Sequence, residues 1–421
     1  MSSTVKERGK IERANMEAVE RFMAAEPVMV DICPASDVIP GMSENTILHS
    51  GPPITWQEMA ETQKGAVIGA AIFEGLATTI EEGRSLGDRG GFKLGAAHDH
   101  DAVGPGTGAI APSMAVVVVE NRTHGNRAYC PLQDIQFAFG ANDPETIQRL
   151  HWLSDVLAPA LKDWAISAGG VELAPVMQVA LHMGDEGHDR LMASSALFTR
   201  MFGPYAVRGR LEEERLFEIF DYLATDIMAD WIFESPWMAA CKASLTAAHG
   251  IDHSTFVTTM AGNGATFGIR VSGLDDDWFI GRAPKLDGVF FDGYTVDDGQ
   301  EEMGDSVIND TAGFGGPALA CSPVYMPFVG KRPQDGIEIT RRMHEITIAK
   351  HTRFTIPNLD FEGIPAGFDL ERIVRSGNVP TLAAGIGHKT PGKGFIGLGL
   401  GEAPRECFVQ AWEAFQERYG S

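Results

Sequence analysis

The sequence predicts a chain of mixed α/β and α+β class, with an N-terminal α/β domain, a helical middle region and a C-terminal β-rich α+β domain. Short β-prone runs alternate with helical patterns as far as residue 143, and helical spacing dominates from there to residue 250. The remainder carries β-prone runs separated by glycine, aspartate and asparagine. A length of 421 residues favours two or three domains, which we place at 1–143, 144–250 and 251–421.

The first domain has the element order of an α/β unit. The predicted elements are a helix over 6–25, strands over 28–32 and 46–49, a helical segment over 56–77, a short strand from residue 93 and a buried strand over 114–120. This order favours a parallel sheet, in which ligands bind beyond the carboxyl ends of the strands. His49 ends the second strand and is therefore a candidate substrate-binding residue.

A glycine-rich segment follows a cluster of histidine and aspartate. The motif His98-Asp99-His100-Asp101 leads to Gly104, Gly106 and Gly108. Glycine turns expose backbone N–H groups that hold anions, so the three glycines are candidates for substrate binding and His98 is a candidate catalytic residue. Close packing of turns is the structural alternative. On a strand the two histidines would share a face, but without a clear third ligand we expect no metal site.

The middle region is predicted to be helical. Its segments are 144–168, 171–202 and 211–248. Asp143 suits an N-cap with Pro144 at the first helical position, and Pro236 should break or kink the third segment. Four tryptophans should belong to the core of this region or to an interface: Trp152, Trp164, Trp231 and Trp237.

A charged cluster, Gly184-Asp185-Glu186-Gly187-His188-Asp189-Arg190, interrupts the second of these segments, which is otherwise apolar. On a helix, Asp185 and His188 would share a face, as would Glu186 and Arg190. Because buried charges need partners, the cluster is either a buried ion-pair network or the floor of a polar site. For the second case the candidate catalytic residues are Asp185, Glu186 and His188, with Arg190 in substrate binding.

The last domain is predicted to be rich in strands. The expected elements are strands over 256–260, 266–272, 278–280 and 289–294, a helix over 333–349, a glycine-rich hairpin to residue 401 and a final helix over 404–418. Arg270 should face away from Ile269 and Val271, where its guanidinium suits a carboxylate or phosphate, or pairs with a neighbouring aspartate.

Three further polar residues of this domain are candidates for the site. Asp305 follows Gly304 and either caps a helix or contributes to substrate binding. His388 and Lys389 lie side by side among glycines, and we take them as a catalytic and a substrate-binding candidate.

The charge and composition of the chain limit the binding partners and the cellular compartment that we expect. A net charge of −23 argues against nucleic acid and anionic membranes, but local cationic groups can still bind a small anionic substrate. The first residues lack a signal-peptide core, and no apolar run approaches membrane-spanning length. Five scattered cysteines suggest free thiols, so we expect a cytoplasmic protein.

Several short motifs together resemble the YlbE-like family. They are His49-Ser50-Gly51-Pro52-Pro53, Ala102-Val103-Gly104-Pro105, Met183-Gly184-Asp185-Glu186 with His188, Phe267-Gly268-Ile269-Arg270, Met303-Gly304-Asp305-Ser306 and His388-Lys389. The resemblance implies an AllG-type subunit of oxamate carbamoyltransferase, which acts with companion subunits, one resembling succinyl-CoA synthetase. The implied reaction converts oxalurate and phosphate to oxamate and carbamoyl phosphate, with no cofactor in this chain.

Carbamoyl transfer needs an anion site, donors for an oxyanion and a group that moves a proton. Arg270 and Lys389 could supply positive charge, and a histidine at 98, 188 or 388 the proton transfer. A non-catalytic scaffold or effector-binding subunit and a stand-alone metal-dependent hydrolase of a ureido compound are the alternatives. We expect the isolated chain to be a homodimer.

Overall fold

The computed structural model describes residues 3–132 and 134–420, and it confirms the mixed class, with several small sheets. The first 143 residues form α1 (Ser3–Met23), β1 (Pro27–Pro34), α2 (Ala35–Val38), β2 (Thr46–His49), α3 (Glu61–Phe73), α4 (Ile80–Asp88), β3 (Lys93–Ala96), β4 (Ala115–Asn121), β5 (Arg127–Pro131) and α5 (Ile135–Ala138). The predicted strands of this region are confirmed to within two residues.

The predicted parallel sheet holds for one pair of strands and is wrong for the main sheet. β2 and β3 are parallel, because α3 and α4 form the long crossover that parallel neighbours require. The main sheet has the order β5-β4-β1-β6, with β6 at Val171–Glu172, and its pairs are antiparallel. The valines of β4 are buried in this sheet, as their unbroken run predicts.

The middle region is helical, but its predicted second helix is broken. It contains α6 (Pro144–Trp152), a π-helical turn (Leu153–Leu157), α7 (Ala158–Ser167), α8 (Leu173–His182), α9 (Met192–Arg208), α10 (Glu213–Thr225) and α11 (Glu234–Thr246). The charged cluster lies in the irregular loop between α8 and α9. Gly184 and Gly187 adopt φ of 95° and 89° there, which ends helical geometry. The cluster pairs therefore share no helix face.

The predicted ends of other helices in this region agree with the structure. Asp143 caps α6 by accepting from the backbone N–H groups of Glu145 and Thr146. Pro236 lies in the first turn of α11, where proline is tolerated, and the expected break precedes it. Trp164 and Trp237 are fully buried, as expected for core residues.

The C-terminal part contains β7 (Val257–Asn263), β8 (Thr266–Val271), β9 (Phe279–Arg282), β10 (Asp287–Phe290), β11 (Met303–Gly304), α12 (Val307–Thr311), α13 (Pro333–Glu345), β12 (Thr347–Ile356), β13 (Glu362–Phe368), α14 (Leu370–Ser376), β14 (Thr381–Gly387), β15 (Phe395–Glu402) and α15 (Arg405–Tyr419). Its sheets have the orders β11-β7-β8-β9, β10-β15-β14 and β12-β13. The predicted strands and final helix are confirmed with shifted ends.

One hydrophobic cluster draws side chains from all three sequence ranges, including Val117 of β4, Trp237 of α11 and Phe314 after α12. The rings of Trp237 and Phe314 meet edge to face at 5.1 Å. The domain boundaries at 143 and 250 stay a prediction. Within the two described ranges, no helix is long and apolar enough to cross a membrane.

Candidate functional site

The carboxylate of Asp305 joins segments that are distant in sequence. Its Oδ1 accepts from the backbone N–H of Gly51 at 2.8 Å, and its Oδ2 accepts from that of Gly104 at 3.2 Å. Gly51 has a φ of 77°, and an added Cβ would lie 2.7 Å from the Cβ of Asn263, so the turn requires glycine. The predicted anion-holding turns therefore bind a carboxylate of the chain itself.

The other two glycines of the predicted anion loop are packed closely. A Cβ added at Gly106 would lie 2.1 Å from the carbonyl oxygen of Ala138, and one at Gly108 would lie 2.4 Å from the backbone nitrogen of Ser50. His49 is buried beside them, and its Nδ1 contacts the carbonyl oxygen of Ser50 at 2.9 Å. The backbone at Gly106 and Gly108 therefore leaves no space for a side chain.

His98 lies against Asp305 with its ring buried. The expectation of a strand here is wrong, because residues 97–100 form a 3₁₀ turn that aims His98 inward while Nδ1 of His100 bonds the carbonyl oxygen of Pro40. Nε2 of His98 lies 3.4 Å from Oδ1 of Asp305. Burial lowers the pKa of His98 more than Asp305 raises it, so the ring is neutral near pH 7 and can accept a proton.

A pocket of about 520 Å³ opens beside His98. It is polar, and its lining is His98, Asp99, Asp101, Lys242, Thr246, His249, Thr258, Thr259, Arg270, Asp276 and Trp278. These side chains come from all three sequence ranges. Among the described residues, no group of three or more histidine, cysteine, aspartate or glutamate side chains is placed to hold a metal ion.

Lys242 of α11 is a pocket residue that the sequence reasoning missed. Its side chain is buried, and Nζ donates to the carbonyl oxygen of His98 over 3.4 Å. Burial lowers the pKa of Lys242 to about 8, although the negative charge of Asp101 acts to raise it. A lone lysine within the largely apolar run 236–245 is the signal that could have found it.

Arg270 enters the pocket from β8. Ile269 and Val271 are fully buried in a hydrophobic cluster on the opposite face, so the predicted alternation is confirmed. The Arg270 guanidinium hydrogen-bonds Asp99 and lies over the ring of Trp278, 4.4 Å from its centroid. The pairing with an aspartate was the alternative that its position left open.

The loop between α8 and α9 is held together by Glu186. Oε1 of Glu186 accepts from the backbone N–H groups of His188 at 3.2 Å, Asp189 at 2.5 Å and Arg190 at 3.0 Å. Burial and the charge of Asp189 raise the pKa of Glu186 to about 8, against the effect of these donors. Asp185 accepts from Nη1 of Arg190 at 2.6 Å and from the backbone N–H of Ser194 at 2.7 Å, in the first turn of α9.

His188 pairs with Asp310 at the end of this loop. Its Nδ1 lies 2.5 Å from Oδ2 of Asp310, and both side chains are buried. Burial alone would lower the pKa of His188, but the carboxylate of Asp310 outweighs burial and raises it to about 10. His188 is therefore an imidazolium near pH 7. Its partner Asp310 also accepts from the backbone N–H groups of Gly316 and Ala383.

Glu302 is a buried acid, not singled out from the sequence, that interacts with the charges of His188, Asp310 and Asp305. Its side chain is fully buried, and neither carboxyl oxygen has a hydrogen-bond partner within the described residues. Burial raises its pKa well above the usual value, although the charge of His188 opposes this. The charges of Asp310 and Asp305 raise the pKa of Glu302 further. Glu302 therefore interacts electrostatically with Asp305, the partner of His98, and with the pair of His188 and Asp310.

His388 and Lys389 lie outside the lining of this pocket. Nδ1 of His388 accepts from the backbone N–H of Thr390 at 2.8 Å, and its carbonyl oxygen accepts from the Thr62 hydroxyl at 2.7 Å. The Lys389 ammonium bonds the carbonyl oxygen of Asp297. The structure thus brings together His98, Gly104, Arg270 and Asp305, while the residues at 185–190 and at 388–389 occupy other places.

Comparison with known proteins identifies the class of this chain. A family model described as oxamate carbamoyltransferase subunit AllG matches residues 92–306. The chain belongs to this family of carbamoyltransferase subunits. It is 38% identical to the oxamate carbamoyltransferase subunit AllG of Escherichia coli K12, over 97% of this chain and 99% of the relative.

Two further relatives have no stated reaction. The uncharacterized protein YahG of Escherichia coli K12 is 41% identical over 98% of this chain and 87% of its own length. A crystal structure of a conserved protein of unknown function from Enterococcus faecalis V583 is 41% identical and superposes with a TM-score of 0.94. That match covers 97% of this chain and 98% of the other.

Proposed function

We propose that this chain carries the transfer site of an oxamate carbamoyltransferase, which converts oxalurate and phosphate to oxamate and carbamoyl phosphate. The observation that supports this most is the convergence of His98, Lys242 and Arg270 on one pocket of about 520 Å³. Pockets of roughly 300–1,000 Å³ hold small ligands, so oxalurate and phosphate fit together. Membership of the AllG family supports the reaction class.

The cations of the pocket match the charges of this reaction. Phosphate and the carboxylate of oxalurate are both anions, and the attack on the ureido carbonyl places further negative charge on its oxygen. In the proposed site Arg270 holds the carboxylate, because a planar guanidinium binds carboxylates through two donors. Lys242 stabilises the developing oxyanion from a buried position, where water screens its charge little.

His98 moves the proton in the proposed reaction. An oxygen of phosphate bonds to the ureido carbon, and the bond from that carbon to the oxamate nitrogen breaks. The phosphate loses a proton and the departing nitrogen gains one. A neutral His98, set against Asp305, accepts the first proton and returns it to the nitrogen. Catalytic roles for Asp185, Glu186, His188 and His388, and substrate binding by Arg190 and Lys389, stay predictions.

The proposal is tested by assaying carbamoyl phosphate formation from oxalurate and phosphate, with and without the companion subunits. We expect the isolated chain to fold but to be inactive, and the mixture to turn over. Arg270→Gln should lower kcat/KM of the mixture by about 100-fold, because it removes a buried charge that the substrate needs.

Arg282→Gln is the matched control. Arg282 lies on β9, beside the strand of Arg270, and its side chain is 80% exposed, so this change should leave activity within about twofold. Full turnover by the chain alone would refute the division among subunits. An Arg270→Gln enzyme as active as the control would refute the assignment of the pocket.

A further inference from the structure

The guanidinium of Arg270 is already bound to a carboxylate of this chain. Nη2 of Arg270 donates to Oδ1 of Asp99, and Nε1 of Trp278 donates to the same oxygen at 3.3 Å. The Trp278 ring also lies under the guanidinium. Asp99 thus occupies a small carboxylate site made by one arginine and one indole.

The two members of this ion pair differ in how firmly they are held. The side chain of Arg270 is 9% exposed, whereas that of Asp99 is 35% exposed at the pocket lining. Nε of Arg270 has no hydrogen-bond partner within the described residues, so the guanidinium keeps a buried donor for another acceptor. A partly exposed carboxylate can leave such a pair at low cost, while the arginine stays in place.

We propose that Asp99 holds the place of the substrate's carboxylate, and that a 2-oxo carboxylate of the oxamate type displaces it to bind Arg270 over Trp278. The inference rests on the proposed function for the identity of the ligand. Because the competitor is part of the chain, the observed affinity for substrate equals the intrinsic affinity multiplied by the fraction of molecules in which Asp99 is released. Asp99 is therefore a specificity-determining residue that admits only ligands able to replace a carboxylate.

The test is calorimetric titration of the full chain with oxamate, with oxalate as a second carboxylate ligand, and with oxamide as the uncharged analogue. Asp99→Asn removes the competing charge at constant size, so it should bind oxamate about five- to tenfold more tightly than wild type. Oxamide, which has no carboxylate to pair with Arg270, should bind neither protein measurably. Asp276→Asn is the control, since Asp276 lines the same pocket, is 85% exposed and lies 3.8 Å from Arg270.

The outcomes separate this inference from the proposed function. Equal or weaker oxamate binding by Asp99→Asn, or an equal gain in Asp276→Asn, would overturn the displacement. A tighter Asp99→Asn complex with oxalate but none with oxamate would support displacement and contradict the oxamate reaction. Tighter oxamate binding by Asp99→Asn, together with an assembled enzyme that forms no carbamoyl phosphate, would also support displacement and contradict the proposed reaction. If neither wild type nor Asp99→Asn binds oxamate or oxalate, the inference is overturned.

Discussion

Burial acts in opposite directions on two histidines of this chain. His98 lies 3.4 Å from an aspartate that two backbone N–H groups already hold, and burial leaves its ring neutral. His188 lies 2.5 Å from Asp310 and stays charged, with a pKa of about 10. A neutral ring can exchange a proton near pH 7, whereas a permanent imidazolium serves as a fixed charge. The geometry therefore favours His98 for proton transfer.

Replacing His188 should cost stability. His188→Asn leaves the buried carboxylate of Asp310 without its charged partner, so we expect the free energy of unfolding at pH 6 to fall by about 3–5 kcal/mol. The histidine pKa is raised on folding, so the pair stabilises fully below the unfolded pKa and loses this as the pH rises toward 10. Denaturant unfolding at pH 6 and pH 10 should show a smaller difference at the higher pH.

A different result would support the catalytic assignment of His188 instead. An assembled enzyme that carries His188→Asn, keeps its melting temperature and loses turnover would place the residue in the chemistry. The same loss of stability at both pH values would contradict the charged pair.

The residues missed from the sequence share one property. Lys242 and Glu302 are single charged residues whose burial depends on distant segments, and a local pattern does not show what covers them. Arg270 could be predicted because alternation along a strand places it opposite two apolar neighbours. His98 could be singled out as a polar group near a glycine turn, but its partner Asp305 lies in a distant part of the sequence that no local pattern connects to it.

Among the elements, the break between α8 and α9 depends on glycine. Gly187 has a φ of 89°, and an added Cβ would lie 2.3 Å from the Trp237 ring. Gly187→Ala should therefore lower the free energy of unfolding by about 2–4 kcal/mol, through strained backbone and overpacking. Denaturant titration followed by far-ultraviolet circular dichroism measures this.

Gly203→Ala is the control within the neighbouring helix. Gly203 lies inside α9, and an added Cβ would meet nothing within 4 Å. The change should stabilise by about 0.5–1 kcal/mol, because alanine loses less backbone entropy on folding. Equal effects of the two substitutions would contradict the account of the loop.

Prediction of the elements failed where apolar spacing continues through an irregular segment. Residues 171–202 keep helical periodicity on both sides of the cluster, so the pattern alone favours one helix. Gly184 and Gly187 permit the break, and Glu186 stabilises it by accepting from three backbone N–H groups that have no helical partner there. The pairing of β1 with β4 could not be predicted for a different reason. Strand order depends on contacts between segments that are far apart in the sequence.

For the whole molecule, the pocket exists because three sequence ranges meet. His98 comes from the first, Lys242 from the second and Arg270 from the third, so the site forms only in the complete fold. The class of fold and the family could be predicted from the sequence, because local patterns and motif order carry them. The convergence of the pocket residues needed the structure.

The measurement that tests the central claim most directly is the activity of Lys242→Met in the assembled enzyme. Methionine fills the space of the buried lysine without its charge, so the melting temperature should be unchanged or higher. Carbamoyl phosphate formation should fall by about 100-fold or more in kcat, because the oxyanion loses its buried cation. Lys331→Met, at a lysine side chain that is 38% exposed, should keep full activity. If Lys242→Met turns over at the rate of that control, the transfer site is not in this pocket.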